Sequence, residues 1–464
     1  MAASPVIDAL RELVGDRRLL TDPDALQQYG RDWTRAWEPD PLAVVLPESV
    51  DEVQAIVRLA NRLGVALVPS GGRTGLSGGA VARAGEVVVA LDRMDRVLEF
   101  DPVDRQVTIE AGMITARLQE YAAEQGLFYP VDFASAGSSQ VGGNIATNAG
   151  GIKVIRYGMT RDWVAGLKVV TGAGEVLEFN RGLRKNNTGY DLRHLMVGSE
   201  GTLGIIVEAT MQLTRAPGEL AVLVLGVTEL AALMKVLHCF QGAMDLTAFE
   251  FFSEPALARV VAHTGLARPF EAPSPYYALL EFEREGGAAE ERAMALFEHC
   301  VEEGWVVDGV LGQSLEQQGR LWRLREDISE TIARWTPYKN DIATRISRIP
   351  ALLEDVEQVV AAQYPDFEII WFGHIGDGNV HLNILKPEAL PAAEFFDRCH
   401  RLSHRVFEVV ERHGGSVSAE HGVGLLKRDH LGYSRSPEDQ ALMRGIRQVF
   451  DPRGILNPGK LLAD

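Results

Sequence analysis

The sequence predicts an α+β protein of two main parts, and three observations carry that reading. β-branched runs such as LAVVLP, VALVP, EVVVALD, RQVTIEAG and LKVVTGAGEVLEF alternate with helical patterns such as VDEVQAIVRLANRLG and ARLQEYAAEQG up to about residue 216. Alternation of this kind builds α/β layers, with loops at the strand ends. After TRAPGE (214–219) the pattern changes to longer helical segments, including PALLEDVEQVVAAQ and FFDRCHRLSHRVFEVVERHG, mixed with strands such as FEIIWFG. The tail QVFDPRGILNPGKLL is punctuated by Pro and Gly and is expected to pack back on the rest. The expected divisions are therefore an N-terminal helical segment (1–34), a first domain (35–216), a second domain (217–440) and a returning C-terminal segment (441–464).

The opening MAASPVIDALRELVGD lacks a basic and apolar leader pattern and reads as an amphipathic helix. No run approaches the ~18 apolar residues of a membrane-spanning helix. Lys and Arg total 46 against 64 Asp and Glu, a formal charge of −18. So large an acidic excess argues against nucleic acid, whose phosphates demand clustered cations. It leaves small-molecule substrates open. Cys239, Cys300 and Cys399 are too few and too scattered for a disulfide framework, which makes a reducing compartment, the cytoplasm by default, the expectation.

Glycine is concentrated rather than spread. It clusters in PSGGRTGLSGGA (69–80), VGGNIATNAGGIKVIRYG (141–158) and GSEGTLG (198–204). Glycines at strand ends let backbone N–H groups approach a phosphate and accept the positive φ such nests need. The spacing matches neither the Rossmann nor the Walker fingerprint. With Asn144, Thr147 and Asn148 interleaved as donors, the clusters suit a pyrophosphate held from two sides.

Most of the 11 histidines (His194, His238, His263, His299, His400, His404, His413 and His430) sit in helical or polar surroundings that suit solvated or core roles. FGHIGDGNVHLNI differs: it reads as strand, turn, strand about Asp377-Gly378. Such a hairpin places His374 opposite His381 on one face, with Asn383 on the same side. Two imidazoles that close suit one metal ion, although a hydrogen-bonded cross-strand pair is the simpler reading of the hairpin alone. SAEHGVG (418–424) adds Glu420 and His421 on a glycine-flanked turn. Two His and one carboxylate with open positions describe a catalytic zinc or a non-heme iron site.

PSGGRTGLSGGA, PVDFASAGSSQVGGNIATNAGG, RYGMTRDWVAGLKVVTGAGEVL and NTGYDLRHLMVGSEGTLGIIVEA resemble, in order and in register from about 35 to 215, the flavin-binding domain of the vanillyl-alcohol-oxidase-type FAD family. The resemblance implies a two-subdomain FAD-binding domain followed by a substrate, or cap, domain. It implies FAD contacts from Pro69, Ser70, Gly71, Gly72, Arg73, Thr74, Gly78, Gly79, Pro130, Gly142, Gly143, Asn144, Thr147, Asn148 and Gly151. Glu200, Gly201, Gly204, Ile205 and Ile206 complete the set, with Asn457 from the tail. Members that bond FAD covalently place a His where this chain has Arg73, so FAD is expected to be non-covalent.

HIGDGNVHLN followed by SAEHGVGLLKRD is similar to the C-terminal part of the D-2-hydroxyacid dehydrogenases of that family. This implies His374, His381 and Glu420 as ligands of zinc or another divalent metal, and His421 as the base. It also implies hydride transfer from the substrate Cα to flavin N5, with Asn383 at the substrate carboxylate. LWRLREDISETIARWTPYKND (321–341) offers Arg325 and Ser329 at i,i+4 on an expected helix, with Lys339 beyond its end. An ordinary charged helix face explains that spacing too. Yet KNNTGYDLRHLMVGSEGTLG, TAFEFF and this segment resemble the subgroup that oxidises D-2-hydroxyglutarate, where the matching positions grip a distal carboxylate. An Arg fork suits a second carboxylate.

The expected activity is oxidation of D-2-hydroxyglutarate, with D-malate as a second substrate and a non-NAD electron acceptor such as electron-transfer flavoprotein or a quinone. D-lactate dehydrogenase or the glycolate oxidase flavin subunit is the alternative. A metal-dependent hydrolase or oxygenase is the distant one. A homodimer is compatible with the sequence.

Overall fold

The computed structural model describes residues 5–463. The described residues divide into two compact units, the first formed by 5–150, 159–216 and 420–463, the second by 151–158 and 217–419.

In the first unit a four-stranded sheet runs in the order Leu19–Leu20, Ala43–Val45, Val87–Ala90, Leu67–Ser70, its last three strands parallel. The helix Val50–Leu63 links two of the parallel strands. Ser49 caps its first turn by accepting from the Glu52 N–H, and Gly64 ends it with φ 67°, a conformation that suits glycine. Val53, Ile56, Val57 and Ala60 form its buried stripe, each worth about 1–3 kcal/mol of apolar transfer. A second sheet is antiparallel, in the order Val97–Asp101, Gln106–Glu110, Gly204–Gln212, Val164–Thr171, Val176–Phe179.

The N-terminal helix Pro5–Val14 buries Leu10 and Val14 in the core shared by both sheets, so 5–34 is part of this unit rather than a separate segment. The first four residues of that expected segment lie outside the described ones. The tail adds a parallel bridge between Leu67 and Leu456, and the Asn457 N–H donates to the Leu67 carbonyl at 2.8 Å. The chain re-enters the first unit at Glu420, not at 441 as the sequence pattern suggested. The cause is a set of contacts distant in sequence: the buried Glu200 carboxylate accepts from the Val423 and Gly424 N–H groups, both at 2.7 Å, and Ser77 Oγ donates to the His421 carbonyl at 2.8 Å.

The second unit is built on a seven-stranded sheet, antiparallel throughout, in the order Val306–Leu311, Leu220–Val227, Tyr276–Glu283, Leu246–Ser253, Glu368–Gly373, Asn379–Leu385, Tyr338–Ala343. Every residue of the central strand Leu246–Ser253 is buried. The short segment 151–158 belongs here because Lys153 pairs with the buried Glu281 and Arg156 pairs with Asp245 at 2.7 Å. Cys239, Cys300 and Cys399 are free thiols, and burial pushes Cys300 and Cys399 up to about 12. No helix among the described residues is long and apolar enough to cross a membrane.

Candidate active site

In the first unit a cavity of about 150 Å³ opens at the C-terminal ends of the parallel strands. Its walls include Pro69, Ser70, Gly71, Gly72, Arg73, Thr74, Gly79, Gly142, Gly143, Asn144 and Thr147, together with Glu200, Gly201, Gly204, Ile205 and Ile206. The glycines are there for two different reasons. A Cβ at Gly72 would lie 2.1 Å from the Ser138 carbonyl oxygen, and one at Gly142 would lie 2.8 Å from Ala111 Cβ, so these two satisfy the protein itself. A Cβ at Gly143 would meet nothing within 4 Å, so this residue keeps space open for an occupant. A cavity lined by glycine backbone, with open space beside Gly143, fits the pyrophosphate of a dinucleotide such as FAD.

Five expected contacts lie outside the cavity wall. Gly78 has φ 79° and packs under Trp37, its N–H donating to Asp32 at 2.7 Å. Asn148 adopts φ 50° as the cap of the helix Val141–Thr147 and accepts from the Arg161 N–H. Asn457 is buried and donates to the Gly79 and Glu200 carbonyls at 2.9 and 2.7 Å, tying two wall loops together. Pro130 is buried off the wall, and Gly151 falls in the second unit. Gly75, Ser77, Ala80, Leu91, Ala111, Gln140 and Ala146 line the wall instead, and only a folded structure brings them there. His421 lines the same cavity.

Arg73 turns its guanidinium to the Gly71 carbonyl (2.8 Å), to Asp92 (3.0 Å) and over the Tyr29 ring at 4.4 Å. Burial raises the Glu200 carboxyl despite the two N–H groups it accepts and the charge of Lys427. Glu420 lies beside His421, 3.6 Å from its Nε2.

The second unit carries the other expected residues. The strands Glu368–Gly373 and Asn379–Leu385 pair with Phe372 opposite His381, two residues off the register expected for a two-residue turn. The connection is five residues, 374–378, because the His374 carbonyl accepts from both Asp377 and Asn379 N–H groups and closes a wider turn. A slip of two preserves the face of each side chain. The His374 and His381 rings end 5.3 Å apart, edge to face. Each imidazole is backed by a buried carboxylate: His374 Nδ1 lies 2.8 Å from Glu250 Oε1, and His381 Nδ1 lies 3.6 Å from Asp341 Oδ1. Asp341 is fixed by Asn379 Nδ2 at 2.7 Å and the Ala419 N–H at 3.0 Å.

Neither carboxylate was singled out from sequence as a site residue. The available signal was Glu250 itself, an acid inside the apolar run AFEFF, which must find partners if buried. It finds Arg325, whose Nη2 lies 2.7 Å from Glu250 Oε2. Burial alone would raise the Glu250 carboxyl, but His374 and Arg325 outweigh it and hold it below the usual range.

Arg325 and Ser329 do not share one helix face. The helix Leu315–Glu326 stops at Asp327, whose carboxylate is taken by Arg323 at 2.9 Å, and a new turn runs Ile328–Ile332. Arg325 is buried, over the Phe372 ring at 4.8 Å, whereas Ser329 is exposed and accepts from Lys339 Nζ at 2.9 Å. Desolvation by neighbours lowers the Lys339 ammonium, although the side chain as a whole is exposed. Asn383 is buried with its Nδ2 on the His381 and Ile370 carbonyls, at 3.2 and 3.4 Å.

Comparison with known proteins matches these two regions to two families, FAD binding domain over residues 41–180 and FAD linked oxidases, C-terminal domain, over 216–461. The D-2-hydroxyglutarate dehydrogenase of Stutzerimonas stutzeri (strain A1501) is 58% identical over 463 residues, spanning 100% of both chains. That of Xanthomonas citri pv. viticola is 55% identical over 98% of this chain and 97% of its own. The chain belongs to the D-2-hydroxyglutarate dehydrogenase family. D-2-hydroxyglutarate dehydrogenases are FAD-dependent oxidoreductases acting on a CH–OH donor, and this chain is one of that class. Its fold is the vanillyl-alcohol-oxidase type: the structure of p-cresol methylhydroxylase with substrate bound superposes with a TM-score of 0.76 at 16% identity, covering 99% of this chain and 96% of that one.

Proposed function

We propose that this chain oxidises D-2-hydroxyglutarate to the 2-oxo acid, using non-covalent FAD and one divalent metal, zinc for preference. When bound, the flavin accepts the hydride of the substrate Cα–H and the cation acidifies the neighbouring hydroxyl. The observation that carries the substrate reading is the buried Arg325 guanidinium, held by an ion pair to Glu250 and by ring packing in one cluster with the imidazole pair. Its Nε is buried without a hydrogen-bond partner among the described residues, and a distal carboxylate would supply one.

The donor chemistry fits a metal. A Glu250 carboxylate facing Nδ1 of His374 leaves Nε2 as the lone pair, and Asp341 Oδ1 lies 3.6 Å from Nδ1 of His381. Glu420 is the proposed third ligand, from the sequence pattern. His421, on the wall of the same cavity, is the proposed base for the hydroxyl proton. Ser329 and Lys339 form the exposed rim of the proposed substrate grip. Asn383 rests on the family resemblance alone, its amide nitrogen being engaged by carbonyls. The Arg73 guanidinium, packed on Asp92 and Tyr29, leaves no nucleophile at that position for a covalent flavin bond. Reduced flavin is reoxidised by electron-transfer flavoprotein or a quinone, D-malate is a second substrate, and the free cysteines suit a cytoplasmic protein.

The test is a panel of D- and L-2-hydroxy acids with an artificial electron acceptor, with and without chelator. D-2-hydroxyglutarate should lead, and chelation should abolish turnover. A preference for D-lactate would overturn the substrate, and full activity after verified metal removal would overturn the metal.

A further inference from the structure

Glu250 lies on the central strand Leu246–Ser253, 1% exposed, and it touches two groups with different proposed tasks. Its Oε1 faces His374 Nδ1 at 2.8 Å and its Oε2 faces Arg325 Nη2 at 2.7 Å. The two partners come from distant parts of the chain, a helix end and a turn. They are also packed through rings: Arg325 over Phe372 at 4.8 Å, Phe372 against His381 at 5.1 Å, His381 against His374 at 5.3 Å. Gly376, in the turn that carries His374, donates its N–H to the Phe249 carbonyl at 3.0 Å, so this turn is fastened to the residue next to Glu250.

We propose that Glu250 is a positioning residue that couples the metal end of the substrate site to the distal-carboxylate grip, and thereby sets the length of 2-hydroxy diacid the site accepts. The inference rests on the function proposed above. A carboxylate that accepts Nδ1–H fixes both the tautomer and the tilt of the imidazole, which leaves Nε2 directed at a cation. A planar guanidinium anchored through one edge cannot swing toward a shorter acid without breaking that anchor. Because both anchors belong to one carboxylate on a rigid buried strand, the spacing between the reacting carbon and the distal carboxylate is fixed by the fold. Strands hold such spacings better than loops do.

The test uses FAD-loaded Glu250→Gln and Glu250→Ala, with two readouts. Zinc affinity is measured by competition with a chelator, and kcat and KM are measured separately on D-2-hydroxyglutarate, D-malate and D-lactate. The Ala variant should lose about 10- to 100-fold in zinc affinity. The Gln variant, whose amide oxygen still accepts Nδ1–H, should lose less. In both, KM for D-2-hydroxyglutarate should rise by more than KM for D-lactate, and discrimination between D-2-hydroxyglutarate and D-malate should narrow. Wild-type zinc affinity in folded Glu250→Ala, or an unchanged ratio of KM values in Glu250→Gln, would overturn the proposal. Where the Ala variant does not fold, the Gln ratio decides. A wild-type protein that binds no zinc or prefers D-lactate sinks the proposed function instead, so the two failures are told apart.

Discussion

Gly143→Leu separates the flavin site from the fold more cleanly than any other glycine change. Gly143 lies within the helix Val141–Thr147, at negative φ, and faces the cavity. Among the described residues, chain neighbours and the helix's own backbone aside, nothing lies within 4 Å of a Cβ built there, so a side chain meets open lumen. Replacing a helical Gly by Leu also gains up to about 0.8 kcal/mol of helix propensity. The apo protein should therefore be as stable as wild type, or slightly more so. FAD should be excluded, because the added side chain takes the space beside the backbone that the flavin would approach. FAD in thousandfold excess over Kd stabilises wild type by about 4 kcal/mol, on the order of 10 °C in Tm for a unit of this size. The assay is thermal denaturation with and without added FAD, together with the visible spectrum of purified protein. Wild type should be yellow and shift; Gly143→Leu should be colourless, folded and unmoved. Gly72→Ala is the control for a different cause, since its Cβ would sit 2.1 Å from the Ser138 carbonyl and should damage apo stability itself. Stoichiometric FAD in folded Gly143→Leu would refute the placement of the flavin.

Arg325→Ala should cost roughly 2–5 kcal/mol in kcat/KM on D-2-hydroxyglutarate and D-malate, with D-lactate turnover retained; equal losses on all three would make Arg325 structural. Lys339→Ala should show the same selectivity with a smaller loss, because its ammonium sits on the exposed rim. His421→Asn should keep FAD and metal and lose about 100- to 10,000-fold in kcat, whereas His381→Ala should lose the metal; equal metal loss in both would make His421 a ligand. Lys460→Met addresses pH. Burial holds the Lys460 ammonium at about 8, with Glu86 and Asp32 opposing that shift and Arg83 and Arg428 adding to it, and the side chain is 1% exposed. The folded pKa lies below the unfolded 10.5, so the cost of burying the charge is full below pH 8 and fades as pH rises to 10.5. The variant should be more stable than wild type at pH 7, by at most about 3 kcal/mol, with the gap closing towards pH 10.5; a constant gap across that range in denaturant titrations would contradict it.

The glycine-lined cavity was legible because its signal is local. Glycines in three short clusters say that backbone must come close to something, and sixteen of the residues those clusters and the family resemblance implied do line one wall. What they could not say is which glycines serve the ligand and which serve the protein. Gly142 and Gly143 are neighbours in one helix, yet one abuts Ala111 and the other faces open space. Only the position of residue 111 decides between them. The tail was legible as returning, but the point of return was set by Glu200 capturing the turn at 423–424, a contact across more than 200 positions.

The second unit shows the same limit more sharply. The imidazole pair was found because strand alternation survives a register error of two, whereas an error of one would have sent one ring to the other face. Periodicity failed at Arg325 and Ser329 because the helix ends at Asp327 between them, leaving one side chain buried and the other exposed. The carboxylates that orient the histidines were invisible as partners, since Glu250 and His374 are 124 positions apart. Their existence was nevertheless required. An arginine as buried as Arg325 needs an anion, and an imidazole meant to present one nitrogen needs something to hold the other. In this fold one glutamate meets both requirements. That economy is why its removal should disturb metal affinity and substrate length together, and why neither effect should appear alone.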